Sequence, residues 1–381
     1  MVLRLETKAI HSGEPRPGIG RALNLPIFQS STFEYQGETR YDDILYSRLN
    51  NTPNHRAVSS KVAELEGGEA GMVTASGMAA ITTSLLTVLE PGTHLLAQGG
   101  LYGGTHEFVT HELKRLGIEH DWIAGDDPDS WKRKIKQNTR AIYVESITNP
   151  LMEVPRLQEV VRFAREHDLL SLIDNTFATP VNFRPIEIGF DLVLHSATKY
   201  LNGHHDIVAG VLVGAQELVA EITSRLNHLG GSLDPHACFL LDRGIKTLPL
   251  RVRYQNESAL QIAGFLADHE AVDRVNYPGL EEGRSHSTAR SLFTGYGGML
   301  SFEIGGDLER VESFLSRLRI PIVAPSLGGA ETLIIRPAVT SHAGLSPEER
   351  AAAGISDTLI RLSVGLEATA DLIEDLDQAL R

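Results

Sequence analysis

The chain reads as an α/β protein with a mostly parallel central sheet and a smaller α+β unit at its C-terminal end. Three observations predict this. Short apolar runs alternate with longer amphipathic ones through the middle of the sequence, as in a sheet covered by helices. Each apolar run stops at a polar residue or a glycine, and from about Gly244 the pattern gives way to longer helical stretches. With 381 residues, 42% hydrophobic and 22% charged, the chain has a globular composition and the length for two or three closely packed domains.

The first fifty residues hold few periodic runs, and Pro26, Gln29 to Thr32 and Tyr41 to Arg48 read as an extended arm ordered by another surface. Strands are then predicted over 71–75, 94–97, 140–144, 169–173, 192–195 and 210–213. A helix over 155–167 carries Leu157, Val160, Val161, Phe163 and Ala164 as one apolar stripe. Short strands follow around 299–304 and 333–336. The expected division is an arm over 1–50, a large domain over 51–243 and a C-terminal domain over 244–381. No internal repeat or low-complexity tract interrupts it.

A net charge of −14 with scattered basic residues argues against nucleic-acid or anionic-membrane partners and leaves a small molecule as the ligand class. Cys238 is the only cysteine, which excludes an intrachain disulfide and fits a reducing compartment, the cytoplasm. No stretch has the length and apolarity of a membrane span, and Met1 to Ser12 lacks the apolar segment of a secretion signal. His204-His205-Asp206 lacks the spaced partner set of a metal site, so no metal is expected.

In open α/β sheets ligands lie beyond the carboxyl ends of the strands, and here those ends carry Ser76, Glu145, Asp174 and Ser196. His195-Ser196-Ala197-Thr198-Lys199-Tyr200 ends an apolar strand in two hydroxyls and a lysine. Burial favours a neutral amine, the form that attacks an aldehyde to make a Schiff base. Taken alone, the motif also fits a surface lysine after a strand. One strand earlier, Asp174 ends the run Leu172-Ile173, and a carboxylate there needs either a cationic partner, such as the protonated pyridine nitrogen of pyridoxal phosphate, or a helix to cap. In Thr74-Ala75-Ser76-Gly77-Met78, a strand turns into an apolar helix whose free amides can bind a phosphate, with Gly77 allowing close approach. Ser196 and Thr198 add hydroxyl donors, and the three segments together describe a cofactor cradle.

Tyr46-Ser47-Arg48, Ser76-Gly77-Met78, Tyr102-Gly103-Gly104-Thr105, Glu145-Ser146-Ile147-Thr148-Asn149-Pro150, Asp174-Asn175-Thr176, Ser196-Ala197-Thr198-Lys199-Tyr200, Ser326-Leu327-Gly328-Gly329 and the stretch from Ile355 to Glu367 follow one another along the chain. In order and spacing this series resembles the Cys/Met metabolism pyridoxal-phosphate family over nearly the whole length. The family comprises cystathionine γ-synthase, cystathionine γ- and β-lyase, methionine γ-lyase and O-acylhomoserine sulfhydrylases. The resemblance implies the aspartate-aminotransferase-like fold, fold type I, and the cofactor pyridoxal 5′-phosphate. It implies that Lys199 carries the cofactor, that Asp174 pairs with the pyridine nitrogen, and that Tyr102 stacks on the ring and donates a proton to the leaving group. Ser76, Gly77, Met78, Ser196 and Thr198 would hold the phosphate, joined by Tyr46 and Arg48 from a neighbouring subunit of a homodimer or homotetramer. Arg361 would grip the substrate α-carboxylate, with Asn149 and Ser326 beside it.

The activity this implies is γ-replacement or γ-elimination on sulfur amino acids or activated homoserine, of the cystathionine γ-synthase and γ-lyase type, with methionine γ-lyase or O-acylhomoserine sulfhydrylase as the alternative. Leu45 and Pro325 stand where many cystathionine-handling members carry glutamates, and Gly104 where methionine γ-lyases carry a cysteine. From a different class, a non-catalytic pyridoxal-phosphate-binding scaffold would lack a reason to keep Lys199, Tyr102, Asp174 and Arg361 together. A dinucleotide-binding dehydrogenase would need a Gly-x-Gly-x-x-Gly turn after the first strand, which is absent.

Overall fold

The computed structural model describes residues 3–341, 343–344 and 346–381. Seven strands form the larger sheet: β1 (Ala70–Thr74), β2 (His94–Gln98), β3 (Glu119–Ile123), β4 (Thr139–Glu145), β5 (Leu170–Asp174), β6 (Leu192–His195) and β7 (Gly210–Gly214), in the spatial order β1-β7-β6-β5-β4-β2-β3. All pairs are parallel except the two made by β7, which runs antiparallel to both β1 and β6. Direction follows from the connection. The segment between β6 and β7 carries the Lys199 turn and no crossover helix, so the chain returns alongside β6 in the opposite sense.

The six strands expected from the apolar runs are all present. β3 is the addition: its sequence Glu-His-Asp-Trp-Ile is mostly polar, as an edge strand paired only with β2 allows. The central strands are buried on both faces. One face packs Val144, Ile173, Val193 and Val211 against Val58, Val62 and Leu65 of the Pro53–Glu66 helix. The other packs Tyr143, Leu172, Leu194 and Leu212 against the Gly77–Val88 and Gln216–Leu229 helices. Each fully buried Val or Leu here contributes about 1.5–3 kcal/mol of transfer free energy. The Pro53–Glu66 helix starts with proline in its first turn and ends on Gly67 at φ +78°, a conformation that favours glycine. The Leu157–Glu166 helix buries the apolar stripe read from the sequence.

A second sheet of five strands follows: β8 (Val272–Asn276), β9 (Met299–Ile304), β10 (Ile322–Val323), β11 (Leu333–Ile335) and β12 (Leu359–Ser363), in the order β10-β11-β12-β9-β8. The Leu248–Ala267 helix joins the two units. Its first turns, Leu248 and Val252, belong to the core of the large sheet, and Ala259, Ile262, Ala263 and Leu266 belong to the core of the small one. The residue 243/244 division falls within the Pro235–Ile245 helix, one turn before this bridge. Near the N-terminus, the Leu5–His11 helix lies on its own chain, with Ala9 fully buried in the large core. Glu14 ties the following segment down through Lys61 at 3.3 Å and Lys246 at 2.6 Å, and Lys61 also pairs with Asp242 at 2.6 Å. No helix among the described residues is long and apolar enough to cross a membrane.

Candidate active site

Because β1, β4, β5 and β6 run the same way, the residues that follow them collect at one edge of the sheet. A cavity of about 640 Å³ opens there. Its walls include Ser76, Gly77, Met78, Tyr102, Asn149, Asp174, Ser196, Thr198, Lys199, Ser326 and Arg361, which is every site residue expected from the sequence except Tyr46 and Arg48. Glu145, Thr176, Phe177, Ile81, Val208, Pro325 and Leu327 complete much of the lining.

Lys199 Nζ donates to Ser326 Oγ at 2.8 Å, a contact that spans the two sheet units. Burial pulls its pKa down to about 8, and the nearby Arg361 charge adds to that. The neutral amine is then far more populated near neutral pH than for an unperturbed lysine. Arg361, in the middle of β12, is 4% exposed. Its Nη1 donates to Asn149 Oδ1 and its Nη2 to the Ser326 carbonyl, both at 3.1 Å, whereas its buried Nε has no partner among the described residues. Burial lowers its pKa to about 10, so it stays charged at neutral pH, with no carboxylate of the described residues in ion-pair range. A desolvated guanidinium bonded only to neutral oxygens is set up to receive an anion. Ser326 serves both sides from a backbone at φ +89°, uncommon for a residue with a side chain and a form of strain that collects at functional sites.

Asp174 and Glu145 end adjacent strands in direct register. Asp174 Oδ1 accepts from the Thr176 hydroxyl at 2.5 Å and amide at 2.9 Å, and Oδ2 has no hydrogen-bond partner among the described residues. Burial lifts Asp174 above its ordinary range, opposed by the two Thr176 bonds and the His195 charge. Glu145 is lifted well above the carboxylate range by burial first and by Asp174 second, with the Tyr102 amide opposing. Glu145 is thus the more strongly raised of the two, and the pair titrates as a unit. A buried carboxylate with one oxygen fixed and the other free suits a cationic ligand group such as a pyridinium. Glu145 Oε1 also accepts from the Tyr102 amide at 2.7 Å, which anchors the backbone of the half-exposed tyrosine at the cavity mouth. The sequence placed Glu145 at a strand end, but the bond to a residue 43 positions away leaves no local signal.

The opposite end of the cavity is an anion cradle. Ser76 caps the Gly77–Val88 helix by accepting from the Ala79 amide at 3.0 Å, leaving the first amides free. A Cβ on Gly77 would sit 2.8 Å from Ser196 Cβ, so only glycine lets this helix start close onto the Ser196 turn. Free amides, a hydroxyl turn and the positive end of a twelve-residue helix suit a phosphate. Thr198 is placed less simply: its Oγ1 donates to the Ala209 carbonyl at 3.1 Å and accepts from the Ala209 amide at 3.0 Å, so it must rotate to donate to an anion.

Tyr46 and Arg48 lie away from this cavity. Arg48 donates to the Asn227 carbonyl at 2.9 Å and to the Tyr41 hydroxyl at 2.5 Å, with its guanidinium 5.4 Å from the Tyr46 ring centre. In the histidine run, His204 Nδ1 lies 2.7 Å from the Asn202 carbonyl, and Asp206 accepts from the Asn202 amide group at 2.7 Å.

A buried lysine with a lowered pKa, a carboxylate with one oxygen unbonded among the described residues and an anion cradle, all at the carboxyl edge of this sheet, fit pyridoxal phosphate. The chain belongs to the Cys/Met metabolism PLP-dependent enzyme family, whose model matches residues 6–381. It is 42% identical over 379 residues, 99% of each chain, to the cystathionine gamma-lyase of Bacillus subtilis (strain 168). It is also 42% identical to a cystathionine beta-lyase of Lactococcus lactis, over 99% of this chain and 98% of the relative. The crystal structure of cystathionine gamma synthase from Xanthomonas oryzae pv. oryzae, in complex with aminoacrylate and cysteine, superposes with a TM-score of 0.96 at 37% identity, covering 100% of this chain and 98% of the other. The fold is thus fold type I, and the protein is a PLP-dependent enzyme of sulfur amino-acid metabolism.

Proposed function

We propose that the protein acts at the γ-carbon of a sulfur amino acid or an activated homoserine, by γ-replacement or γ-elimination of the cystathionine γ-synthase and γ-lyase type. The observation that carries this reading is that one cavity gathers Lys199, Asp174 and Arg361, with Ser326 bonded to both Lys199 Nζ and Arg361, and with Tyr102 at the mouth of the same cavity. Bound pyridoxal phosphate supplies an electron sink for negative charge developing next to the amino group. Arg361, steadied by Asn149 and Ser326, holds the α-carboxylate. Lys199, neutral in part at physiological pH and aimed by Ser326, takes the α-proton and then serves the β-carbon. Tyr102, its backbone pinned by Glu145, donates a proton to the departing γ-group. Ser76, Gly77, Met78 and Ser196 hold the phosphate. The smaller alternative substrates, methionine or an O-acylhomoserine, are favoured by one feature: among the described residues the cavity wall offers Pro325, Leu327, Ile81 and Val208 and, beyond Glu145 and Asp174, no carboxylate for the second ammonium of cystathionine.

A product assay with cystathionine, methionine and O-acylhomoserine, each with and without cysteine, tests this directly. Release of a 2-oxo acid from a thioether marks a lyase, formation of cystathionine marks a synthase, and turnover of none of them overturns the reading.

The assembly we propose is a homodimer in which Tyr46 and Arg48 complete the partner's phosphate site, paired further into a homotetramer. The arm over 1–50 serves this role, with the large domain over 51–243 and the C-terminal domain over 244–381 forming the cavity. Support comes from the location of Arg48 outside its own cavity. Mixing the inactive variants Arg48→Ala and Lys199→Ala should restore about a quarter of the sites, since half the dimers then carry one intact site. No recovery after subunit exchange contradicts shared sites. The compartment we propose is the cytoplasm, on the strength of a single, buried cysteine, and fractionation that recovers the protein elsewhere contradicts it.

A further inference from the structure

We propose that Arg251 and Gln255, neither of which lines the cavity, are positioning residues that fix the spacing between the Lys199 turn and the Arg361–Ser326 side of the site. Both lie on the Leu248–Ala267 helix, four residues apart and therefore on one face. Arg251 Nη1 donates to the Tyr200 carbonyl at 2.9 Å, and Nη2 donates to the carbonyls of Gly244 at 2.8 Å and Leu201 at 3.5 Å. Nε reaches Thr247 Oγ1 at 3.2 Å. Tyr200 and Leu201 are the two residues directly after the cofactor lysine, so the guanidinium fixes the direction of the peptide groups that follow it. One helical turn on, Gln255 Nε2 donates to the Gly329 carbonyl at 2.9 Å and the Val364 carbonyl at 3.1 Å. These acceptors lie three residues after Ser326 and three after Arg361.

The chain is shaped around both side chains. Gly203, at φ +76°, would place a Cβ 2.0 Å from Arg251 Nη1, and a Cβ on Gly298 would meet Gln255 Cβ at 3.0 Å. Arg251 is 5% exposed and Gln255 is fully buried, and every acceptor of the guanidinium is neutral. A buried charge without a counter-ion is expensive, and an apolar side chain would pack there at less cost. What the donors add is direction: Arg251 orients the lysine side and Gln255 the carboxylate-binding side from a single rigid element. The contact between the two sides, Lys199 Nζ to Ser326 Oγ, then has its 2.8 Å geometry set from behind.

The inference rests on the roles proposed above for Lys199 and Arg361. Its test uses Gln255→Met, Arg251→Lys and, as a control, Val252→Ala, which trims a neighbouring core residue on the same helix. The holoenzymes are assayed on whichever of cystathionine, methionine or O-acetylhomoserine with cysteine turns over fastest, and the apoproteins by amide hydrogen exchange. Gln255→Met should raise KM and lower kcat/KM about 10²-fold, the penalty of a shift near 1 Å, while cofactor still binds. Exchange should quicken at residues 327–330 and 364–366. Arg251→Lys should lower kcat more than it raises KM and quicken exchange at 200–203. Val252→Ala should lower Tm with kcat/KM within about twofold of the unaltered enzyme. If Gln255→Met behaves as Val252→Ala does, the positioning role is overturned, and that arm decides the matter even where an Arg251 variant fails to fold. Arg361→Lys runs alongside: a loss of substrate affinity there with none in Gln255→Met defeats this inference alone, whereas no loss in either defeats the site reading.

Discussion

Replacing Lys199 with alanine is expected to lower kcat/KM by at least about 10³-fold, because in the role proposed for it one side chain both carries the cofactor and moves the substrate protons. The fold should survive, since the removed amine sits in the cavity wall and, among the described residues, its one hydrogen bond is to a serine hydroxyl. The pH dependence has a definite sign. An amine attacks an aldehyde only when unprotonated, and a pKa of about 8 means capture of pyridoxal phosphate by the apoprotein rises as pH increases through 8 and flattens above it. Stopped-flow absorbance reads this directly. A rise that continues through pH 10 would place the reactive amine in water, not in this cavity.

Arg361→Lys gives the second large effect, a rise in KM of about 10²-fold with a smaller change in kcat. Lysine keeps the charge but cannot offer two parallel N–H donors to a carboxylate. It also leaves the Asn149 and Ser326 oxygens without the planar group that now joins them. Losing a buried, hydrogen-bonded charge contact costs about 3 kcal/mol, which is the same factor expressed as an affinity. Cofactor absorbance should be unchanged, because the guanidinium bonds to Asn149 and Ser326 and not to Asp174 or the phosphate cradle. Unaltered KM would remove Arg361 from the carboxylate-binding role.

Much of this site is legible in the sequence because its residues follow apolar strands. Asp174 and the Ser196 to Lys199 turn stand immediately after runs that can only be buried, and Ser76-Gly77 stands where a strand becomes a helix, so position and chemistry point the same way. Arg361 is different: it interrupts a short apolar run, and its strand, β12, is recognisable only once the pairing with β9 and β11 is seen. β3 escapes a periodicity reading because an edge strand keeps polar residues. The contacts that join distant segments, Glu145 to Tyr102, Arg251 to Tyr200 and Gln255 to Val364, have no spacing signature, since each depends on how two elements meet in space. Glutamine and arginine in the middle of an amphipathic helix ordinarily face water, and burial alone reveals these two as structural donors. The arm is a mixed case. Its irregular composition is plain in the sequence, but the docking of Leu5–His11 and the ion pairs of Glu14 depend on buried partners more than forty residues away.

The proposed chemistry depends most on Lys199 being the residue bonded to the cofactor. Loading the protein with pyridoxal phosphate, reducing with borohydride and mapping the peptides by mass spectrometry tests that in one step. The expected result is a single pyridoxyl adduct on the peptide containing Lys199, absent from Lys199→Ala. A stoichiometric adduct on another lysine, or none, would contradict that assignment.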